Sequence, residues 1–566
     1  MTPALSIIPR PPDAAPVPPA GHRDAAGYAP ISDYAFLSDC RSAALVSWDG
    51  AVEWLCWPRF DSAAVFAGIL DARHGGAWTM RPRDPFSSDR RYVPHTNVVE
   101  TTFRTATGTV RLTDWLRVGA RQALCRRLEG IAGTVAMDVD CDPRPGFNAD
   151  GPVAWRERLG WLVADLPGGG RLIADGLRLP SASVTIREGE TQGFSLSLDR
   201  PGPTDLASSL RRAVDFWRTW SGDLRLPAEH AELVERSALA LKGLQYLPSG
   251  AIVAAATTSL PECVGGSRNW DYRFSWVRDA TLTLAALGEV GKDHEAQSWL
   301  DWLNMITLTS GVEDLQIMYG VGGEADLAES ELDALDGYKG SRPVRVGNGA
   351  AKQRQIDTYG ELADVIWMVR TRFEDQLNPH RWRLMRALAN RALREWREPD
   401  EGIWEVRGDS RDFVYSKVMC WVALDRAIRL AALDGVDDPS LPRWREGRDE
   451  IRRQVLAEGY DDELGVFTQS YGSRNLDASN LMLATVGFVA ADDVPGARDH
   501  GRSCCTRRHR ASAERLAREL AVGVERDAPA GSGWSRPTAR RSGHRARSLR
   551  ARGPPRLAAR RRRRAR

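Results

Sequence analysis

Two Trp, a Tyr and a Phe stand among Arg and Asp in Gly266-Ser267-Arg268-Asn269-Trp270-Asp271-Tyr272-Arg273-Phe274-Ser275-Trp276-Val277-Arg278-Asp279, directly ahead of the apolar run Ala280–Val290. Core helices avoid this mixture, because Arg278 beside Asp279 is costly to bury without partners. A sugar site uses it: indole faces stack on the C–H face of a pyranose while a carboxylate and a guanidinium hold its hydroxyls. An aromatic loop that enters a helix with a surface ion pair has the same composition, and composition alone does not separate the two.

A second constellation is Pro399-Asp400-Glu401-Gly402-Ile403-Trp404-Glu405-Val406-Arg407-Gly408, followed by Phe413-Val414-Tyr415-Ser416-Lys417-Val418-Met419-Cys420-Trp421. A carboxylic acid against an indole is expected to keep its proton, because desolvation disfavours the anion. Glycosidic cleavage needs such a donor for the leaving oxygen. Glu405, directly after Trp404, is the first candidate and Glu401 the second. An acidic turn with a chance Trp is the plainer reading of these residues by themselves. A third stretch, Gly337–Lys352, combines Gly and Pro with Arg342, Arg345 and Asn348, so its backbone can approach a ligand closely and its side chains offer donors. It lacks the Gly-x-x-x-x-Gly-Lys of a phosphate cradle.

The first stretch resembles the motif of glycoside hydrolase family 15, the family of glucoamylases, glucodextranases and bacterial trehalases. Ser249-Gly250-Ala251-Ile252-Val253-Ala254-Ala255-Ala256-Thr257-Thr258-Ser259-Leu260-Pro261-Glu262 resembles its bacterial branch. Ser32–Val46 and Val52–Ser62 resemble the N-terminal domain of the bacterial trehalase-like proteins. The resemblance implies Glu405, in Gly-Ile-Trp-Glu, as the general acid, and Arg278 with Asp279 as the pair that grips a terminal glucose. It implies further substrate contacts at Tyr272, Trp276, Trp404 and Lys417, and at Arg342, Arg345 and Asn348. Inversion also needs a base roughly 6.5–9.5 Å across the sugar. In the family this is a Glu in a late loop, past this chain's last matching segment, Asn475-Leu476-Asp477-Ala478-Ser479-Asn480. Nothing in Val494–Arg566 resembles that loop, and Glu514, Glu519 and Glu525 have no sugar-site context. The base is therefore expected to be absent.

The elements that must position these residues change character along the chain. Residues 1–30 are Pro- and Ala-rich without an apolar signal core, and read as a disordered lead-in. Residues 31–204 read as strands: Ala43–Trp48, Asn97–Arg104, Thr109–Trp115, Ala132–Asp140 and Phe194–Leu198 are short runs punctuated by turn residues. An antiparallel β-sandwich is the expected arrangement. Residues 205–226 read as a linker helix. Residues 227–493 carry helical stripes, at Leu233–Leu244, Ala280–Val290, Ala296–Thr307, Ile356–Phe373, Trp382–Trp396, Phe413–Leu433, Leu441–Leu456 and Ala478–Ala490. The expected fold is thus multidomain, a β-sandwich followed by an α/α toroid. The resemblance implies six helix pairs, of which about eight helices are supplied, an incomplete (α/α)6 ring.

The net charge of +3 conceals an asymmetry. Residues 494–566 hold 22 Arg, no Lys and five acids, a net +17, which leaves −14 for residues 1–493. An acidic body argues against nucleic acid as its partner. The tail has one aromatic residue, Trp534, and too little apolar surface to offset ordering entropy; only Ala511–Val524 could be helical. It reads either as a basic arm or, preferred here, as GC-rich sequence translated out of frame. The eight Cys show no metal-ligand spacing, which suits reduced thiols in a cytoplasm and argues against structural zinc. No run of 18 apolar residues predicts a membrane span. The thiols and the lack of a membrane span suit a cytoplasmic protein without metal, and the resemblance implies a hydrolase without cofactor acting on an α-glucoside. Inverting, exo-acting hydrolysis of trehalose is the first reading, in a copy impaired by loss of its base. Glucoamylase-type release of glucose from α-glucans is the second, and a non-catalytic sugar-binding remnant is the third.

Overall fold

The computed structural model describes residues 23–489 apart from 168, 313–314 and 373–376. The expectations for the Arg-rich tail, for the helix Ala511–Val524 and for its Glu residues lie outside the described residues, as does Phe373. The described residues begin inside the expected lead-in. Arg23 bonds Asp49 at 2.7 Å and Glu53 at 2.8 Å, and Tyr28 meets Tyr338 edge to face. These contacts fix residues 23–30, which composition alone marks as disordered.

The N-terminal region is antiparallel sheet. Its organising element is the strand Ala123–Asp142, whose first half pairs with Gly108–Leu116 and Thr191–Leu198. Its second half pairs with Ala77–Pro82 and Ser181–Arg187. Sharing this one strand links fourteen strands into one network. Side chains alternate across the pleat, as in Ala77–Pro82, where every second residue is buried. One core draws Val46, Phe66 and Met80 from the first group of strands and Phe103, Leu112 and Phe194 from the other. The strand stretches read from sequence all fall inside or across observed strands, with shifted ends.

Helix α1, Leu206–Ser221, follows the sheet, capped by Asp205 whose carboxylate accepts the Ser208 N–H at 3.0 Å. Its Trp217 packs with Cys40 of the sheet region and Leu239 of α2, Ala231–Gly243, which joins the two regions. The remaining helices are α3 Val277–Glu289, α4 His294–Ser310, α5 Thr358–Arg372, α6 Pro379–Glu395, α7 Val414–Asp434 and α8 Leu441–Glu458. The stripe expected over Ala478–Ala490 yields a 3₁₀ turn and a short α9, Met482–Thr485. Helix α7 is apolar nearly all round and packs against α5, α6 and α8, the position its sequence demands. Among the described residues, six cysteines are free thiols. Among the described residues, no helix is long and apolar enough to cross a membrane.

Candidate active site

Three helix starts converge on one place, those of α3, α5 and α7. Trp276 is the residue before α3, Asp357 the residue before α5, and Glu405 lies in the loop that leads to α7. Positive helix ends favour carboxylates, which suits a cluster of acids at this junction.

Glu405 sits with φ +52°, a left-handed backbone that is strained for a residue with a Cβ and costs about 1–3 kcal/mol. The Gln353 side-chain amide, donating at 3.3 Å to the carbonyls of Glu405 and Val406, holds the turn. The Glu405 side chain is 20% exposed, and both of its polar contacts fall on Oε1. Trp276 Nε1 donates to that oxygen at 2.7 Å and Arg278 Nη2 at 3.3 Å. Oε2 is uncommitted among the described residues. The indole that meets the acid is thus Trp276, itself tilted against Tyr272 with centroids 5.8 Å apart. Trp404, the neighbour in sequence, turns outward: it is 53% exposed, with Nε1 bonded to both carboxylate oxygens of Asp477 at 2.9 and 3.0 Å. Glu401 is occupied otherwise, accepting the Arg354 N–H at 2.8 Å and the Ser410 hydroxyl at 3.0 Å.

Arg278 is shared. It donates to Gln355 at 2.9 Å and lies 3.6 Å from Asp357, 3.3 Å from Glu405 and 3.9 Å from Asp279. Burial opposes its charge, but Asp357, Asp279, Glu405 and Glu361 outweigh that and hold the guanidinium above its ordinary value. Asp279 keeps its side chain 45% exposed and touches Arg278 only loosely, so Asp279 reaches solvent while Arg278 is 11% exposed.

Beneath this surface lie three acids that sequence reasoning passed over. Glu361 is buried, accepts from the Tyr415 hydroxyl and, at 3.1 Å, from Thr281, and burial pushes it up to about 7. Asp400 is likewise pushed up to about 7, by burial and by Asp357, while accepting the Ile356 N–H at 3.2 Å. Asp357 is 0% exposed, and neither carboxylate oxygen is met by a well-aligned donor. Burial raises it, against the pull of Arg278 and of the amides that open α5. A signal for Asp357 was present: Gln353-x-Gln355-x-Asp357 puts polar groups on alternate positions just before the helix Thr358–Arg372.

Of the residues singled out in the sequence, Tyr272, Trp276, Arg278, Asp279 and Glu405 are brought together, with Trp404 at the edge. The others are engaged elsewhere. Arg342 is exposed and pairs with Asp336. Arg345 donates to the carbonyl of Ser267 at 2.9 Å and stacks over Trp270 at 4.6 Å, bracing the first motif from outside. Asn348 is buried with both ends of its amide committed, to the Asp271 carbonyl at 3.1 Å and the Ala350 N–H at 3.0 Å. Lys417 is buried, bonding the Glu398 carbonyl at 2.7 Å and Asp412 at 2.8 Å. Asn348 and Lys417 have their side-chain polar groups taken up by protein.

Residues 228–541 match glycosyl hydrolases family 15, and residues 24–161 match the trehalase-like N-terminal domain. The first match runs past Asp493, where the likeness visible in the motifs ends. A trehalase of Mycolicibacterium smegmatis is 39% identical over 519 residues, spanning 82% of this chain and 75% of that protein. A trehalase of Mycobacterium tuberculosis is 38% identical over 513 residues, with 82% and 74% covered. One from Thermoplasma volcanium is 35% identical over 486 residues, with 82% and 77% covered.

Proposed function

The chain belongs to glycosyl hydrolase family 15, and from that premise we propose that the site around Glu405 cleaves the α-glucosidic bond of trehalose from a terminal glucose, with inversion. The observation that carries this is the placement of Glu405, tied on one oxygen to Trp276 and Arg278 and uncommitted on the other. In this reading Glu405 gives its proton to the glycosidic oxygen as the C1–O bond breaks. Water attacks C1 from the opposite face and yields β-glucose, and the proton that water loses goes to a base. Asp279 accepts glucose hydroxyls at the exposed edge, Arg278 donates to them, and Tyr272 offers its ring to the pyranose. Supporting trehalose over other α-glucosides are the three trehalases to which the chain is similar and the trehalase-like N-terminal match.

The catalytic region corresponds, in this proposal, to an (α/α)6 toroid of which the described helices form part. Among the described residues, Asp477 stands beside Trp404, and the carboxyls around Arg278 and beneath it are Asp279, Asp357, Glu361 and Asp400. The last three are buried, and Asp279 lies on the Arg278 side. None of these four suits the base, and a sugar-binding remnant is the second reading. Purified chain incubated with trehalose and with maltose, with glucose release and sugar affinity both measured, separates the readings. Preferred release from trehalose supports the proposal, and preferred release from maltose supports the glucoamylase-type alternative. Affinity without release supports the remnant, and neither affinity nor release overturns all three.

A further inference from the structure

Glu405 is held at both ends. Its left-handed turn spends its own amides: the Glu405 N–H donates to the Gly402 carbonyl and the Val406 N–H to the Glu401 carbonyl, each at 3.2 Å. That leaves the carbonyls of Glu405 and Val406, and the Gln353 side chain donates to both at 3.3 Å. Gln353 in turn accepts from Gln355, whose Nε2 lies 3.0 Å from its Oε1. Gln355 accepts from Arg278 Nη1 at 2.9 Å, and Arg278 Nη2 returns to Glu405 Oε1 at 3.3 Å. The hydrogen bonds thus close a ring that starts at the backbone of Glu405 and ends at its own carboxyl.

The ring runs in one direction. A guanidinium can only donate, so Gln355 must turn its oxygen to Arg278 and its nitrogen to Gln353. A backbone carbonyl can only accept, so Gln353 must turn its nitrogen to Glu405 and Val406, which leaves its oxygen for Gln355. Both ends therefore demand the same orientation of the two amides. The backbone at Gln353 is extended, with φ −72° and ψ 150°, so successive side chains alternate and the two glutamines fall on one side. The Arg354 N–H between them goes to Glu401 at 2.8 Å. Gln355 is buried, which protects its two bonds from water. A strained backbone persists where its surroundings over-determine it, and this ring does so for Glu405.

We propose that Gln353 and Gln355 are positioning residues, which relay the place of Arg278 to the turn of Glu405 and so keep the Glu405 carboxyl at the sugar. The inference rests on Glu405 as the acid of the proposed reaction. Neither glutamine has to touch the sugar for this. A break at either one releases the carbonyls of the turn, lets the backbone at Glu405 relax, and carries its carboxyl away from Trp276 and Arg278.

The test uses the full chain and two ligands of gluco configuration that differ at one ring atom. Deoxynojirimycin has a ring amine, which binds as an ammonium beside a carboxylate, and the matching anhydroglucitol has an ether oxygen in its place. Calorimetry at one fixed pH gives both affinities, and their ratio reads the placement of the Glu405 carboxyl. Wild-type chain prefers the amine by about tenfold or more, the scale of a hydrogen bond between charged groups. Glu405→Gln removes that preference. Gln353→Met and Gln355→Met, which keep the length of the side chain and lose its amide, each lower it by at least about fivefold. Alanine at either position serves where the methionine variant does not fold. A purely structural glutamine would instead weaken both ligands equally and leave the ratio as it was. A preference that Glu405→Gln removes but either glutamine variant keeps overturns the inference. A wild-type chain without the preference, or Glu405→Gln with it, shows that the acid assignment itself is wrong, and the inference falls with it.

Discussion

Two Arg–Asp pairs lie in one short stretch of this sequence, Asp271 with Arg273 and Arg278 with Asp279, and the fold treats them in opposite ways. The first is closed. Arg273 donates to Asp271 at 2.9 and 2.6 Å and to the Ser62 carbonyl at 2.6 Å, and both side chains are buried. Asp271 also accepts the Gly347 N–H at 3.1 Å, so the pair ties the first motif to the sheet region and to the loop before α5. The second is open. Arg278 is divided among three carboxyls, and Asp279 reaches solvent. A closed pair holds a loop in place, whereas an open one keeps charge available for something that arrives. Buried Arg126 in the sheet region behaves like Arg273, with Asp114 at 2.8 Å and the carbonyls of Trp78 and Gly50 taking its donors. Completeness of hydrogen bonding, and not residue type, separates scaffold from site here.

The largest effect should come from the open side. Glu405→Gln is expected to lower glucose release from trehalose by roughly a hundred- to ten-thousandfold while leaving sugar affinity nearly unchanged. Glu401→Gln, whose carboxylate serves the loop, should cost far less; the reverse order would place the acid one turn away. On the closed side, Asp271→Ala leaves Arg273 buried and unpaired and should cost about 3–5 kcal/mol of stability. Urea unfolding measures it, and an unchanged midpoint would break the distinction between the two pairs.

A smaller effect concerns the acids beneath the site. Glu361 and Asp400 are both pushed up to about 7 in the folded chain, from ordinary values of 4.5 and 3.8. The folded state then holds protons that the unfolded state has released, so stability should fall as pH rises from about 4 to about 7 and level off above. Each group contributes at most about 1.4 kcal/mol per pH unit across its window. Melting temperatures between about pH 5 and about pH 8 should decline for wild type and decline less for Glu361→Gln. A flat wild-type profile would contradict the burial of these carboxyls. The smallest effect is expected at the rim: Trp404→Phe loses the bonds to Asp477 and should weaken disaccharide affinity by about threefold, with stability held. No change would remove Trp404 from the sugar.

The strands and α1 to α8 were legible because each has a local signature, alternation in the one and helical stripes in the other. What was illegible depended on direction. Trp404 and Trp276 are equally aromatic, but only the fold decides that Trp276 bonds Glu405 while Trp404 faces Asp477. Asn348 and Lys417 have the right chemistry for a sugar, yet nearby backbone carbonyls absorb their donors. Asp357 and Glu361 went unread because a helical stripe draws attention to its apolar members, and the acids among them look like interruptions.

The central claim is that the open pair, and not the closed one, is where the sugar is held. Calorimetric titration of the chain with trehalose, against Asp279→Asn under the same conditions, tests it most directly. The account predicts affinity at least about tenfold weaker in Asp279→Asn, the scale of a lost hydrogen bond to a charged group, with the urea midpoint unmoved. Equal affinity in the two proteins would contradict it.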